Sequence, residues 1–256
     1  MIVSLEAVPR DREALIAAAE TVAQYPRIGL INIPDLLRFP LRSWEACGIL
    51  RETTAAAGEL MPHIRAIDFD MAVPFPHIEY LRSQGIKKVL VIAGDPPKEK
   101  KTPTGNTTVH RTYPTETVPF IKKLKIEMPE LGVYAAFDPY RSNIRYELDY
   151  LKAKEDAGAA GFMSQPFFDL RLLEIYAEYL EGKNVFWGIS PVLSASNRNY
   201  WESRNRAVFP RSFRPDLFWN VDFGRRVLGF CEAGGFNLYL IPIKIDLGPY
   251  LEGIFG

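Results

Sequence analysis

Residues 88–95 have the sequence KVLVIAGD, in which an apolar, β-branched run at 88–93 is followed by a glycine and an acidic residue. Continuous runs of this kind are typical of parallel strands that are covered on both faces. Seven further runs of similar character are found at 2–6, 28–33, 60–66, 132–137, 160–165, 185–190 and 236–243. Eight such strands in a chain of 256 residues predict a closed parallel barrel.

Helical patterns separate the predicted strands, at about 11–24, 43–58, 74–84, 115–127, 142–157, 169–181 and 219–233. Five polar residues are candidate N-caps of these helices: Asp11, Ser43, Thr115, Ser142 and Asp169. The alternation indicates an α/β fold, a (βα)₈ TIM barrel that occupies residues 1–256 as one catalytic domain. Only a short tail follows the eighth strand, so we expect the last helix to be short or missing.

The composition narrows the classes of function. Lys and Arg number 31 and so do Asp and Glu, so the net charge of +0 gives no attraction to nucleic acid or to an anionic membrane. Cys47, Cys231 and the three histidines lack the spacing of a metal site, and the two cysteines are expected to pack within helices. Neither a signal peptide nor a membrane-spanning run is recognisable, which predicts a soluble, cytoplasmic protein.

Two connections are longer than a barrel needs. Residues 94–114 are rich in Pro, Gly, Thr and Lys and predict a long loop above one rim. Residues 194–218 contain five arginines against two acidic residues, with aromatic residues between them. This segment follows the seventh predicted strand, where barrels often bind anions, and a solvated loop is the alternative interpretation.

Polar residues at the predicted strand ends are the candidates for chemistry, because the carboxyl ends of barrel strands converge on one pocket. Glu6 ends an apolar run, where partial desolvation would raise its pKa toward that of a general acid; a helix-capping or ion-paired role is the alternative. Asp95, between Gly94 and Pro96, is a fixed acceptor suited to the N–H edge of a pterin or a guanine, or else a turn-forming residue.

Two further strand ends combine polar and aromatic residues. Gln165 offers both a donor and an acceptor, and Phe168 could stack on a flat heterocycle, with core packing as the alternative for the ring. His63 and Arg65 could contact the ring or the phosphate of a cofactor, and a buried histidine with a satisfied hydrogen bond is the alternative.

Seven segments, taken in order, resemble the methylenetetrahydrofolate reductase family: VSLEAVPR (3–10), INIPD (31–35), PHIRAID (62–68), VLVIAGDPP (89–97), LKAKEDAGA (151–159), GFMSQPFFD (161–169) and GISPV (188–192). The resemblance implies an oxidoreductase of one-carbon metabolism. Such an enzyme binds FAD at the barrel rim and reduces 5,10-methylenetetrahydrofolate to 5-methyltetrahydrofolate, with NAD(P)H as the electron source.

The resemblance also implies roles for individual residues. Glu6 matches the acid that opens the methylene bridge, Asp95 the aspartate beside flavin and pterin, and Gln165 the amide that binds the pterin, with Phe168 next to it. The positions that match cofactor-binding residues of the family are His63, Arg65, Ala135, Phe137, Arg141 and Lys154. No metal ligand is implied.

Some positions depart from the family pattern. Tyr150, Ala153 and Ala93 stand where flavin-binding members have an asparagine and two arginines, and Ala195 stands near the place of an aromatic residue. Three alternatives therefore stay open: a flavin-free member that takes hydride directly from NAD(P)H, a folate-binding subunit that works with a partner reductase, and a barrel for another pterin or a methylated aromatic substrate. A homo-oligomer is a further expectation.

Overall fold

The computed structural model describes residues 1–54, 58–96, 100–101, 107–108 and 110–256. The strands are β1 (Val3–Glu6), β2 (Ile28–Ile33), β3 (Glu59–Arg65), β4 (Lys88–Ile92), β5 (Lys100–Lys101), β6 (Thr107–Thr108), β7 (Gly132–Phe137), β8 (Gly161–Ser164), β9 (Val185–Ile189) and β10 (Asn237–Leu240). All except β5 and β6 form a closed parallel barrel in the order β1-β10-β9-β8-β7-β4-β3-β2. The predicted (βα)₈ barrel is thus confirmed.

Helices alternate with the barrel strands: α1 (Arg12–Ala23), α2 (Ser43–Thr53), α3 (Ile78–Ser83), α4 (Thr117–Glu127), α5 (Ile144–Asp156), α6 (Leu170–Tyr179), α7 (Ala195–Asn205), α8 (Leu217–Gly234) and α9 (Leu247–Phe255). The last helix is short, as predicted, with 9 residues. Cys47 and Cys231 are buried free thiols in α2 and α8.

The two long connections contain regular structure. The strands β5 and β6 pair antiparallel within 94–114, and the rest of that predicted loop lies partly outside the described residues. The interpretation of 194–218 as a loop was wrong at its start, because α7 forms there. The Ser194 side chain accepts a hydrogen bond from the Asn197 N–H and caps α7, and the buried indole of Trp201 anchors the helix.

The predicted N-caps were right at Asp11 and Asp169, whose side chains accept from helix N–H groups. At three other helices the cap is the adjacent residue: Arg42, Glu116 and Asn143 instead of Ser43, Thr115 and Ser142. Two of the displaced hydroxyls make tertiary hydrogen bonds instead. Ser43 donates to the His63 carbonyl at 2.5 Å and Thr115 to the Phe69 carbonyl at 2.6 Å, and these buried bonds replace local capping.

Side chains alternate between two layers along each barrel strand. One set points outward and packs beneath the helices, as Leu5, Ile64 and Val91 do. The other set fills the barrel interior and comprises Leu30, Met61, Leu90, Tyr134, Met163, Phe186 and Tyr239. Polar residues that continue the inward rows at the carboxyl ends of the strands therefore face the mouth of the barrel.

Candidate active site

The three residues central to the predicted site lie at one rim of the barrel. Glu6 is the last residue of β1, Gln165 directly follows β8, and Asp95 follows β4 by three residues. Because all barrel strands are parallel, these ends open on the same side. Two strands separate β1 from β4 and from β8, and one strand separates β4 from β8. The three side chains are therefore spread around one opening rather than adjacent.

Glu6 lies at the inward end of β1 and is hydrogen-bonded to a residue from the other end of the chain. The Tyr239 hydroxyl, on β10, donates to Glu6 Oε2. Burial raises the pKa of Glu6 to about 7, and the hydrogen bond from Tyr239 partly offsets that rise. A carboxyl group whose pKa lies near neutrality can deliver and recover a proton, as a general acid requires.

Two buried polar atoms on the neighbouring strands β2 and β3 have no hydrogen-bond partner within the described part of the chain. Asn32 is the register partner of Glu6 on β2; its Nδ2 donates to Met163 Sδ at 3.1 Å, and its Oδ1 accepts no hydrogen bond among the described residues. His63 Nε2, on β3, is likewise buried without a partner, and burial lowers the pKa of this histidine to about 3. Since an unpaired buried polar group costs about 1–3 kcal/mol, neutral His63 and Asn32 indicate a polar ligand in the mouth.

The segment that holds Asp95 is tied to β3. Arg65 Nη2 donates to the Asp95 carbonyl at 2.7 Å, while the Asp95 side chain is exposed at the rim. Gly94 has a φ of +85°, and a Cβ there would lie 2.6 Å from Ile67 Cγ2. Only glycine fits this turn, which agrees with the sharp turn predicted before Asp95.

Arg42 connects this segment to the helix layer. Its guanidinium donates to Asp35 at 2.9 and 2.5 Å and to Asp68 at 2.6 Å, and both carboxylates are almost fully buried. Asp68 also lies 3.3 Å from Arg65 Nε and 3.1 Å from His110 Nε2. The linked ion pairs Arg42–Asp68 and Asp68–Arg65 therefore hold Arg65 in place, and Arg65 in turn holds the Asp95 backbone. The sequence did not reveal Arg42 as part of the site, because its partners Asp35 and Asp68 lie in two separate segments.

Three of the predicted contact residues point away from the mouth. Ala135 and Phe137 are on the outward face of β7, where Phe137 packs 5.2 Å from the ring of Tyr176. Phe168 is fully buried and stacks on Phe209 at 4.3 Å, with Trp201 at 5.6 Å. Phe137 ends β7 and Phe168 follows β8, so both lie at the same end of the barrel as Glu6, but their side chains are used in packing. Ala135 and Phe137 pack beneath the helices, and Phe168 packs against α7 and the segment that follows it.

Lys154 lies within the protein rather than at its surface. Its Nζ donates to the Ala136 carbonyl at 2.6 Å and lies 4.0 Å from the centre of the Tyr150 ring. The Tyr150 hydroxyl is in turn hydrogen-bonded to Thr117. Burial lowers the pKa of Lys154 to about 8, although the nearby Glu147 raises it. Arg141 is exposed and lines a separate cleft together with Arg204 and Arg206, at the end of α7.

Comparisons with known proteins identify the family of the chain. The profile of the family described as "Methylenetetrahydrofolate reductase" matches residues 45–217, more than half of the chain. The chain belongs to the methylenetetrahydrofolate reductase family. A "Probable methylenetetrahydrofolate reductase (NADPH)" from Caenorhabditis elegans is 26% identical over 168 residues, which cover 62% of this chain. The match spans 24% of the length of that relative.

Solved structures share the fold at low sequence identity. The crystal structure of oxaloacetate acetylhydrolase aligns with a TM-score of 0.59 and 11% identity, over 98% of this chain and 78% of that one. The crystal structure of 2,3-dimethylmalate lyase, a member of the PEP mutase/isocitrate lyase superfamily, aligns with a TM-score of 0.58 and 10% identity, over 99% and 78%. These likenesses support the barrel fold alone.

The described residues contain neither a candidate metal site nor a candidate membrane span. No group of three or more His, Cys, Asp or Glu side chains is arranged to hold a metal ion there. Among the same residues, no helix has the length and apolar character needed to cross a bilayer.

Sequence reasoning missed Asn32 and Tyr239, although a signal existed for each. An asparagine in the middle of the apolar run INI, and a tyrosine on the inward row of 236–243, are both polar residues in otherwise apolar strands. Their relation to Glu6 depends on closure of the barrel between β1 and β10.

Proposed function

We propose that this chain, as one catalytic barrel, reduces 5,10-methylenetetrahydrofolate to 5-methyltetrahydrofolate with hydride from NAD(P)H. The observation that supports this most is Glu6: a partly buried carboxyl group, hydrogen-bonded to Tyr239 and with a pKa of about 7, at the mouth of a barrel of this family. The reaction consumes one proton and one hydride, and Glu6 is the group best suited to supply the proton.

The proposed reaction proceeds in two steps. Glu6 protonates N10 of the substrate, the bond between N10 and the bridging carbon breaks, and the bridge becomes an iminium on N5. The hydride from C4 of the reduced nicotinamide then adds to that carbon, which becomes the methyl group, and NAD(P)⁺ leaves. The Glu6 carboxylate regains its proton from solvent before the next turnover. Because both reactants are bound at the rim, the hydride transfer becomes an effectively unimolecular step.

Other residues of the mouth serve to bind the pterin in this proposal. Gln165 and the Asp95 carboxylate present acceptors to the N–H edge of the ring, and Gln165 also presents a donor. The unpaired Oδ1 of Asn32 and Nε2 of His63 would find partners on the bound substrate. A polar ligand in the mouth would therefore remove the cost of leaving these atoms unpaired.

The residues at the expected flavin phosphate positions do not fit the diphosphate of FAD. Lys154 directs its ammonium to the Ala136 carbonyl beneath the Tyr150 ring, and it is almost fully buried. Ala93 and Ala153 carry no charge. A phosphate at this place would lack the charge-assisted hydrogen bonds that stabilise such groups. We therefore place hydride transfer directly between NAD(P)H and the folate.

A visible spectrum tests this choice of electron donor. The purified protein is expected to be colourless, and to oxidise NADH or NADPH in the presence of 5,10-methylenetetrahydrofolate without added flavin. The release of 5-methyltetrahydrofolate is measured by chromatography, and a reaction without protein is the control. A yellow preparation with flavin absorption bands would contradict the direct transfer, and the absence of any product with either nucleotide would contradict the reaction itself.

The hydrogen bond from Tyr239 to Glu6 predicts a shift in the pH profile. Tyr239→Phe removes a donor that stabilises the carboxylate, so the pKa of Glu6 should rise further above about 7. Because the proposed acid acts in its protonated form, the fall in kcat/KM on the alkaline side should move to higher pH. The matched control is Tyr134→Phe, which removes a hydroxyl that Asn184 contacts at 3.0 Å, remote from Glu6. Profiles of the two variants that coincide would contradict the role of Glu6.

A further inference from the structure

The segment from the end of α7 to the start of α8 presents large apolar side chains to solvent. Val208, in the connection between the two helices, is 60% exposed, and Phe218, in the first turn of α8, is 85% exposed. Leu217, next to Phe218, is exposed as well. Single exposed apolar residues are normal on protein surfaces, whereas several in one short segment are typical of a surface that another molecule covers.

Aromatic packing fixes the inner side of this segment to the barrel. The ring centre of Phe213 lies 4.5 Å from that of Phe209 and 4.7 Å from that of Trp219. Phe209 in turn stacks on the buried ring of Phe168 at 4.3 Å. These contacts use the side chains that face the barrel, so the exposed side chains of the same segment are held on a rigid base.

Arginines accompany the exposed apolar residues. The stretch 204–218 contains Arg204, Arg206, Arg211 and Arg214 against one acidic residue, Asp216. All four arginines are exposed, and none has a carboxylate within 4 Å in the described part of the chain. The Asp216 carboxylate accepts a backbone N–H of α8 at 2.7 Å and caps that helix. Because charges are screened beyond about 8–10 Å at physiological salt, this local excess acts at the surface although the net charge is +0.

We propose that an apolar–basic surface, which comprises Val208, Leu217, Phe218, Arg211 and Arg214, binds membranes that contain anionic phospholipids. Guanidinium groups stay charged at physiological pH and form bidentate hydrogen bonds with phosphate oxygens. Apolar side chains beside basic ones are typical of proteins that bind at the membrane interface. The binding is peripheral, since no helix of the described residues could cross a bilayer. The inference does not depend on the proposed reaction.

An acidic protein partner is the main alternative that the charge allows. Aromatic residues that dominate protein interfaces lie in well-packed pockets, so such a partner would have to supply a pocket that encloses nearly the whole ring of Phe218. Lipid can surround a projecting ring without any preformed shape. The high exposure of Phe218 therefore favours a membrane over a protein.

The position of this surface determines how the bound protein is oriented. Arg204 and Arg206, at the end of α7, line one cleft with Asp138 and Arg141, which follow β7. The end of α7 thus lies at the rim formed by the carboxyl ends of the strands, where Glu6 is found. A protein bound through the apolar–basic surface has the mouth of its barrel near the membrane.

Co-sedimentation with vesicles tests the proposal and needs no substrate. The full chain is mixed with vesicles of phosphatidylcholine alone, or with vesicles in which a third of the lipid is phosphatidylglycerol. The fraction that sediments should give a partition coefficient at least about 10-fold higher for the anionic vesicles, and added salt should reduce this difference. Equal binding to both kinds of vesicle, or binding to neither, would overturn the proposal.

Phe218→Ser tests the apolar part of the surface. Removing the ring should lower the partition coefficient for anionic vesicles by roughly 10-fold, because a buried Phe side chain contributes strongly to transfer from water. The Tm should not change, since the ring is exposed in the folded protein. The matched control is Ile126→Ser, at a 70% exposed position of α4, a helix that packs on β4 and β7, and it should bind as the unmodified chain does.

The double variant Arg211→Gln with Arg214→Gln tests the basic part. It should lower the partition coefficient by roughly 30-fold, about 5-fold for each charge removed. Arg12→Gln with Arg145→Gln removes the same charge from exposed positions of α1 and α5 and should retain binding. Both double variants binding equally well would overturn the proposal. Self-association that Phe218→Ser abolishes, without any binding to vesicles, would assign the surface to a second copy of the chain and would also overturn it.

Discussion

Glu6→Gln is expected to abolish most of the activity and to make the folded protein more stable above neutral pH. The amide keeps the shape of the side chain and can still accept the hydrogen bond from Tyr239. It cannot deliver a proton to N10, and positioned general acids typically contribute about 10²- to 10⁴-fold to the rate. The turnover number should therefore fall by at least about 100-fold.

The gain in stability follows from the direction of the pKa shift. Glu6 has a pKa of about 7 in the folded chain against 4.5 without the protein environment, so the folded state binds its proton more tightly. The stability that this proton confers is complete below about pH 4.5 and is lost as the pH rises toward about 7. Above that window the desolvated charge costs about 3 kcal/mol, which Gln removes.

Urea unfolding at about pH 4 and about pH 8 measures this difference. Glu6→Gln should raise the free energy of unfolding at the higher pH and change it little at the lower one. Glu178→Gln, at an exposed position of α6, is the control and should have little effect at either pH. A variant that retains near-normal turnover, or one that is equally destabilised at both pH values, would contradict the assignment of Glu6 as a buried acid.

Arg42→Met is expected to lower the free energy of unfolding by about 3–5 kcal/mol at neutral pH. The guanidinium is the cation between Asp35 and Asp68, whose side chains are 0% and 4% exposed. Methionine preserves the apolar stem but leaves Asp35 buried with a single distant contact, from the Ser43 N–H at 3.4 Å. An unpaired buried charge costs more than the pair contributed, which explains the size of the effect.

Arg42→Met is also expected to change the KM for the folate, and the double variant with Asp35→Asn is its control. Asp68 would retain Arg65 at 3.3 Å, but Arg65 also holds the Asp95 carbonyl, so the KM for the folate should rise. Adding Asp35→Asn to Arg42→Met should recover part of the stability, because the neutral amide no longer needs a cation. Steady-state kinetics measure the KM, and urea unfolding curves at neutral pH measure the recovery of stability. A single variant as stable as the unmodified chain would refute the importance of this network.

Much of the site could be anticipated from local patterns. The apolar runs marked every barrel strand, because a strand covered on both faces needs apolar side chains on both. Glu6, Asp95 and Gln165 followed from polar residues at the ends of those runs, and the turn at Gly94 from the neighbouring glycine and prolines. These features depend on residues close together in the chain, which is why periodicity and order reveal them.

Other features depended on contacts between distant segments. The hydrogen bond between Glu6 and Tyr239 joins residues that are 233 positions apart, and Lys154 is turned inward by the Ala136 carbonyl and the Tyr150 ring. The outward orientation of Phe137 follows from the pleat of β7 within the closed sheet. The composition of the chain and the order of its segments do not show whether a strand residue faces the barrel interior or the surrounding helices.

Local patterns along the chain were enough to establish eight strands, most of the helices between them and the rim at which chemistry should be sought, whereas α7 was missed. Closure of the barrel then set the protonation of Glu6, the unpaired atoms of Asn32 and His63, and the arginine cleft between β7 and α7. The physical reason is that hydrophobic periodicity is a property of neighbours in sequence. Desolvation and charge pairing are instead properties of neighbours in space, and these arise only when distant segments pack together.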